Sequence, residues 1–183
     1  MAIREWPQQW PTFLVELTDL AKRPVGYNEF QIEIILLVLQ RLTEDVAIFQ
    51  SIDSVRRKDL HQSLTNNMGE IFDFLSQLLQ IQVRTFQQHD TQEGPDALLY
   101  CRLARSVIMC FQVNVEWAPI THIMAHDGQL LQQLCVLLSI EKLRLPAAEC
   151  LLQVSLNWQY DDYYLLTLIR NSFRSRLSAG RAR

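Results

Sequence analysis

The sequence predicts an all-α protein, specifically an α-solenoid of HEAT or armadillo type built from antiparallel helix pairs. Of its 183 residues, 49% are hydrophobic, while only five are glycine and six are proline. That composition favours helices with short connections over a β-sandwich or a disordered chain. Apolar residues also recur at three- and four-residue steps, the period of a helix with one buried face. A corner built from tryptophan and proline occurs twice, and this partial repeat favours stacked helix pairs.

The first corner comprises Trp6, Pro7, Trp10 and Pro11. Each proline removes a backbone donor and restricts the residue before it, so one helix is expected to end near Trp6 and Pro11 to lie in the first turn of the next. The two tryptophans are predicted to pack at this corner as structural residues. A looser version of the corner follows later in the chain, at Trp117 and Pro119.

The first two full helices are predicted from their apolar spacing. One runs from about Pro11 to Lys22 and stops before a Pro-Val-Gly turn. The next begins near Asn28. Its core stripe is predicted to contain Ile35, Val38, Leu42, Val46 and Phe49, widened by Ile34 and Leu37.

A long third helix is predicted after the break at residues 51–54, capped by Asp53 or Ser54 and continuing to about Gln88. Its apolar spacing persists through the weak helix formers at 66, 67 and 69. At 1.5 Å per residue it would be roughly 50 Å long. A helix of that length fits a solenoid better than a compact bundle.

The remaining helices follow a loop at residues 91–96. The fourth helix is expected to end near Asn114, the fifth to begin near Asp127, and Pro146 to open the sixth as its first residue. The longest uninterrupted apolar run, residues 34–39, is far too short to cross a bilayer, so no membrane insertion is expected.

Charge divides the chain unevenly. Residues 1–162 contain 12 Lys or Arg and 20 Asp or Glu, whereas residues 163–183 contain five arginines and no acid. An acidic body is a poor phosphate-binding surface and suits a basic protein partner better. The body of the chain is therefore acidic, and its last 21 residues are basic.

The sequence motifs give little support for a catalytic or metal site. No glycine-rich phosphate loop, nucleophile elbow or His-Glu-x-x-His motif is present. The four cysteines, at 101, 110, 135 and 150, are expected to be buried reduced thiols. His122 and His126 lie one helical turn apart and could share a metal only with a third ligand. We expect no catalytic residue, cofactor or metal.

One compact basic cluster, formed by Arg56, Arg57 and Lys58, stands out in the acidic body. It could contact RNA phosphate or an acidic protein loop. The alternative is a solvated first helical turn whose charge is relieved by Asp53 and Asp59. The sequence leaves both interpretations open.

Several segments resemble exportins of the importin-β, or karyopherin, superfamily. The resemblance begins with REWPQQWPTFLVEL (Arg4 to Leu17) and continues through QRLTEDVAIFQ (Gln40 to Gln50) and RRKDLHQSLTNNMGEIFDFL (Arg56 to Leu75). EWAPITHI (Glu116 to Ile123) and PAAECLL (Pro146 to Leu152) extend it. It covers most of residues 1–154, with interruptions. The resemblance thus implies an exportin 1-like HEAT-repeat segment, 1–157, followed by a divergent basic C-terminal helix or tail, 158–183.

This resemblance implies stacked HEAT helix pairs in a receptor without a catalytic centre. Exportins of the kind it resembles bind Ran-GTP and nuclear pore proteins, shuttle between nucleus and cytoplasm, and carry double-stranded RNA hairpins such as microRNA precursors. It also implies that the chain is a fragment with exposed apolar faces at both ends, where further repeats would stack. Two other functions remain open, a HEAT or armadillo-like protein–protein adaptor without RNA cargo and, less favoured, a small all-helical enzyme.

Overall fold

The computed structural model describes residues 5–21, 29–48, 53–89 and 93–157, and within these ranges every regular element is helical. Eight helices follow one another: α1 (Phe13–Ala21), α2 (Glu29–Thr43), α3 (Ser54–Asn66), α4 (Met68–Gln88), α5 (Pro95–Val115), α6 (Ile120–Ile123), α7 (Ala125–Leu137) and α8 (Glu141–Asn157). A π-helical segment, Glu44–Ile48, continues α2. The predicted all-α class is confirmed. The predicted ends at Lys22 and Asn28, the core position Phe49 and the tail 158–183 lie outside the described residues.

Helix α5 lies at the centre of the fold. It packs against α4, its neighbour in sequence, and also against α2 and α8. Helices α7 and α8 form the next pair, and α5 contacts α8 across the boundary between pairs. Consecutive helix pairs that also pack side by side form an α-solenoid.

The length and apolar composition of α5 match those of a membrane span, and it is the one such helix in the described chain. Its position identifies it as a core helix instead. Leu103, Val107 and Phe111 on this helix are fully buried against neighbouring helices. A helix that is apolar on several sides is expected where neighbours surround it.

The third predicted helix is interrupted. Asn67 separates α3 from α4 with backbone angles of −98° and 3°, and its Nδ2 donates to the Ser63 carbonyl at 2.7 Å. Asparagine side chains compete for backbone hydrogen bonds in this way, which explains why the helix breaks at this residue. The prediction that Asp53 caps α3 is confirmed, because its Oδ2 accepts from the amides of Val55 and Arg56 at 3.1 and 3.3 Å.

Two other helix starts differ from prediction. Helix α8 begins at Glu141, so Pro146 lies inside it and does not open it. Leu143 and Arg144 already donate amide hydrogen bonds to the Ile140 carbonyl at 3.0 and 2.8 Å, which establishes the helix before the proline. Proline here deprives the Lys142 carbonyl of its intrahelical donor, and that exposed position is open to water.

The start of α7 is left-handed rather than regular helix. His126, Asp127 and Gly128 have φ angles of 52°, 56° and 72°. Residues other than glycine adopt this conformation at a cost of roughly 1–2 kcal/mol. The fifth helix therefore becomes regular only after Gly128, and residues 126–128 form a left-handed elbow at its start.

Exposed apolar side chains occur on the first and last long helices of the described chain. On α2, Ile34 and Leu37 are 45% and 54% exposed. The prediction that Ile34 and Leu37 widen the core stripe is therefore wrong, because the side of α2 that packs carries Ile35, Leu36 and Leu39 instead. On α8, three leucines at 145, 152 and 156 are about equally exposed. Both helices therefore carry exposed apolar side chains within the described ranges.

Candidate partner-binding surface

The two tryptophans of the first corner have different environments. Trp6 is 1% exposed, and its ring lies 6.5 Å from that of Phe13. Trp10 is 37% exposed; its ring meets Phe13 edge-on at 4.9 Å, and its Nε1 donates to Glu16 Oε2 at 3.1 Å. Trp6 therefore anchors the corner in the core, while Trp10 contributes to the surface. Pro7 is half-buried, and Pro11 is exposed in the turn before α1. Pro11 was predicted to lie in the first turn of this helix, but α1 begins two residues later, at Phe13.

Arg56 holds this corner against α3. Its Nη2 donates to the Trp6 carbonyl, and its Nη1 donates to Gln8 Oε1. The Gln8 amide in turn donates to Asp59 Oδ2 at 3.4 Å. Two side chains in the first turns of α3 therefore fix the segment that precedes α1. The guanidinium of Arg56 therefore has a structural role at this corner.

The rest of the basic cluster is differently placed. Arg57 is half-buried and Lys58 is exposed. Neither side chain has a hydrogen bond or ion pair within the described ranges. Both side chains remain candidates for a partner contact. Sequence reasoning missed the partners of Arg56, although an arginine in the unfavourable first turn of a helix was a signal to look for acceptors nearby.

The second corner is also structural. The Trp117 ring is half-buried and lies 4.8 Å from the His61 ring on α3, while Pro119 is exposed. Asn157 Nδ2, at the end of α8, donates to the Val115 and Ala118 carbonyls at 2.8 and 3.3 Å. The corner thus joins α3, α5 and α8. Among the described ring contacts, none joins Trp6 or Trp10 to Trp117, so the two corners do not form one site.

A cleft beside Trp10 is lined by apolar and acidic side chains. Its volume is about 410 Å³, and an aromatic and aliphatic floor formed by Trp10, Phe13 and Leu17 lies beside the carboxylates of Glu16 and Asp19. Aromatic faces flanked by carboxylates suit cationic side chains. This local arrangement agrees with the acidic balance of the body.

The thiols and histidines do not form a reactive or metal site within the described chain. All four cysteines are free and buried. Burial raises the pKa of Cys110 and of Cys150 to about 12, and it raises that of Cys101 against the opposing effect of Lys142 and Arg105. His126 Nε2 lies 3.0 Å from Asp73 Oδ1, and the described residues contain no group of three ligands that could hold a metal.

Comparison with known proteins accounts for the Trp-Pro corners, the helix pairs and the buried cysteines. The sequence profile of the family "Exportin 1-like protein" matches residues 1–151. The chain belongs to this family. Its similarity to Exportin-5 from human is 42% identity over 154 residues, covering 83% of this chain and 12% of the human protein. Exportin-5 from mouse is 39% identical over the same length, and Protein HASTY 1 from Arabidopsis thaliana is 30% identical over 151 residues, or 80% of this chain.

The resemblance to exportins seen in the sequence is thereby confirmed, and the solenoid is that of an exportin 1-like domain. The chain spans about an eighth of the length of the curated relatives that it matches. In this exportin 1-like segment, both Trp-Pro corners lie within the matched residues and have structural contacts. A partner would therefore bind at the surface of residues 1–162, which contain 20 acidic and 12 basic residues.

Proposed function

We propose that this chain is part of a nuclear export receptor that acts with Ran-GTP and carries structured double-stranded RNA, such as microRNA precursors, from nucleus to cytoplasm. The observation that supports this most directly is the family match over residues 1–151, together with 42% identity to human Exportin-5. The receptor would shuttle between the two compartments and contact nuclear pore proteins. It would catalyse no reaction and need no cofactor.

Within such a receptor, this segment would serve as scaffold and protein-facing surface rather than as the RNA-binding surface. Residues 1–162 contain 20 acids and 12 bases, and Arg56 is occupied by Trp6 and Gln8. Phosphate binding depends on clustered cations that release counterions, and only Arg57 and Lys58 of this cluster remain without partners in the described chain. A basic protein surface would be more complementary in charge to this segment than RNA phosphate would.

A chimera tests the proposal. The 154 matched residues of human Exportin-5 are replaced with those of this chain, and binding of a hairpin RNA with a short 3′ overhang is measured with and without GTP-loaded Ran at fixed salt. We expect RNA affinity that rises at least fivefold with Ran, because cargo and Ran favour the same closed receptor and so strengthen one another's binding. A folded chimera that binds RNA equally well with and without Ran, or does not bind it, would refute the export function.

Matched variants of the chimera test the role of the segment. Charge reversal at Arg57 and Lys58 is expected to leave RNA affinity within twofold of the unaltered chimera, as is reversal of the exposed Arg105 on α5. If RNA affinity falls only in the Arg57 and Lys58 variant, and falls further at low salt, the first turn of α3 contacts RNA instead.

The second candidate function is a protein–protein adaptor without RNA cargo. The cleft beside Trp10, with Glu16 and Asp19 at its rim, is the observation that favours it. Binding of a basic protein partner by a chimera that lacks any Ran dependence would select this function.

A further inference from the structure

A groove between α4 and α7 has the features of a peptide-binding site. Its volume is about 230 Å³, and Leu79 and Val83 from α4 meet Leu137 from α7 on its floor. Val136, which is 42% exposed, forms one edge. Pockets for whole small molecules are usually about 300–1,000 Å³, so this groove is better matched to a single side chain of a larger partner.

The carboxamide of Gln133 lines this groove without a hydrogen-bond partner in the described chain. Both its Nε2 and its Oε1 are buried. A buried amide that lacks partners costs free energy on folding, and most such groups in proteins are satisfied. One backbone peptide unit offers an acceptor and a donor, which are the two partners that this side chain lacks.

The opposite wall carries a positive charge. Gln80, Arg84 and Gln87 follow one another on α4 at steps of four and three residues, and all three are exposed. Arg84 is the one charged residue among the described residues that line the groove, and it makes no ion pair within them. This groove is therefore locally cationic on an otherwise acidic body, and its charge is complementary to a carboxylate.

We propose that the groove binds an extended acidic peptide segment of a partner protein, in which an aliphatic residue stands next to aspartate or glutamate. The aliphatic side chain enters the floor, and the carboxylate pairs with Arg84. The Gln133 side chain turns out of its buried position, where its carboxamide has no partner, and pairs with a peptide unit. This goes beyond the export function proposed above, because binding requires neither Ran nor RNA. It is also distinct from the acidic cleft beside Trp10, which suits cations.

The test measures fluorescence anisotropy of the full chain with labelled decapeptides that carry Asp-Leu-Asp in a Gly-Ser background. We expect saturable binding that falls about tenfold with Arg84→Glu, since a hydrogen bond to a charged group is lost and a repulsion is introduced. Arg105→Glu, a reversal at an exposed arginine on α5, is the matched control and should leave the dissociation constant within twofold. A Lys-Leu-Lys peptide should bind Arg84→Glu better than the native chain.

Gln133→Leu separates recognition from folding. It removes a buried amide without partners, so the melting temperature should not fall, yet peptide affinity should drop about fivefold. Absence of saturable binding up to about 1 mM peptide would overturn the proposal. So would equal affinity for the Asp-Leu-Asp, Lys-Leu-Lys and Asp-Ser-Asp peptides, or equal effects of Arg84→Glu and Arg105→Glu. Self-association of the chain that Arg84→Glu abolishes would assign the groove to a second copy instead.

Discussion

The guanidinium of Arg56 joins two segments that are 50 residues apart in the sequence, because it donates to the Trp6 carbonyl and to the Gln8 side chain. We predict that Arg56→Met, which keeps the aliphatic stem and removes the donors, lowers the free energy of unfolding by about 1–3 kcal/mol. Urea denaturation measures the effect. Lys58→Met, at an exposed position without a partner in the described chain, should stay within about 0.5 kcal/mol of the native protein. Equal effects of the two changes would contradict the role assigned to Arg56.

Cys110 and Cys150 lead to a second prediction at the scale of single residues. Burial raises the pKa of each from 9.0 to about 12. Above pH 9 the unfolded chain therefore loses these protons while the folded chain keeps them. The stability that they confer is complete below pH 9 and is lost progressively between pH 9 and pH 12. The free energy of unfolding should decline with pH in this window, and Cys110→Ala with Cys150→Ala should make that decline shallower. A thiol-specific reagent at pH 8 provides the second measurement, since it should label both residues only in denaturant.

At the scale of helices, a buried polar contact couples α2 to α5. Thr43 Oγ1 lies 3.0 Å from the Leu39 carbonyl and 3.3 Å from Asn114 Oδ1, while Asn114 Nδ2 donates to the Cys110 carbonyl at 2.7 Å. Both residues are at most 2% exposed. A double-mutant cycle with Thr43→Val and Asn114→Leu should give a coupling energy of about 0.5–1.5 kcal/mol.

The control for this cycle is Thr65→Val combined with Asn114→Leu. The Thr65 hydroxyl donates to His61 within its own helix, at 2.9 Å. Its coupling to Asn114 should be near zero, because the two side chains share no hydrogen bond. A coupling energy near zero for Thr43 and Asn114 as well would show that this contact does not join the helices.

Sequence patterns were informative about helices and less so about where they begin and end. The cap at Asp53 and the end of α5, predicted near Asn114 and observed at Val115, followed from local spacing, since capping residues and a 3.6-residue period act over a few positions. The break at Asn67, the left-handed elbow at 126–128 and the start of α8 before Pro146 did not. Each depends on which backbone groups find partners after the helices have packed. The role of Arg56 was missed for the same reason, because its acceptors lie in a distant segment.

At the scale of the whole molecule, the helices depend on each other unequally. Helix α5 contacts α2, α4 and α8, whereas α1 packs chiefly on α2. In an ideal solenoid each repeat contacts only its neighbours, and stability is close to a sum over repeats. Here one central helix completes the core for elements both before and after it. The described helices should therefore unfold together rather than one pair at a time.

This arrangement also constrains how the chain folds during synthesis. The inward face of α2, with Ile35, Leu36 and Leu39, emerges from the ribosome long before α5, which ends at Val115. At about 5–20 residues per second, the intervening stretch takes several seconds to translate, and during that time this apolar face has no permanent partner. Nascent chains halted before α5 should therefore recruit chaperones, and chains halted after it should release them.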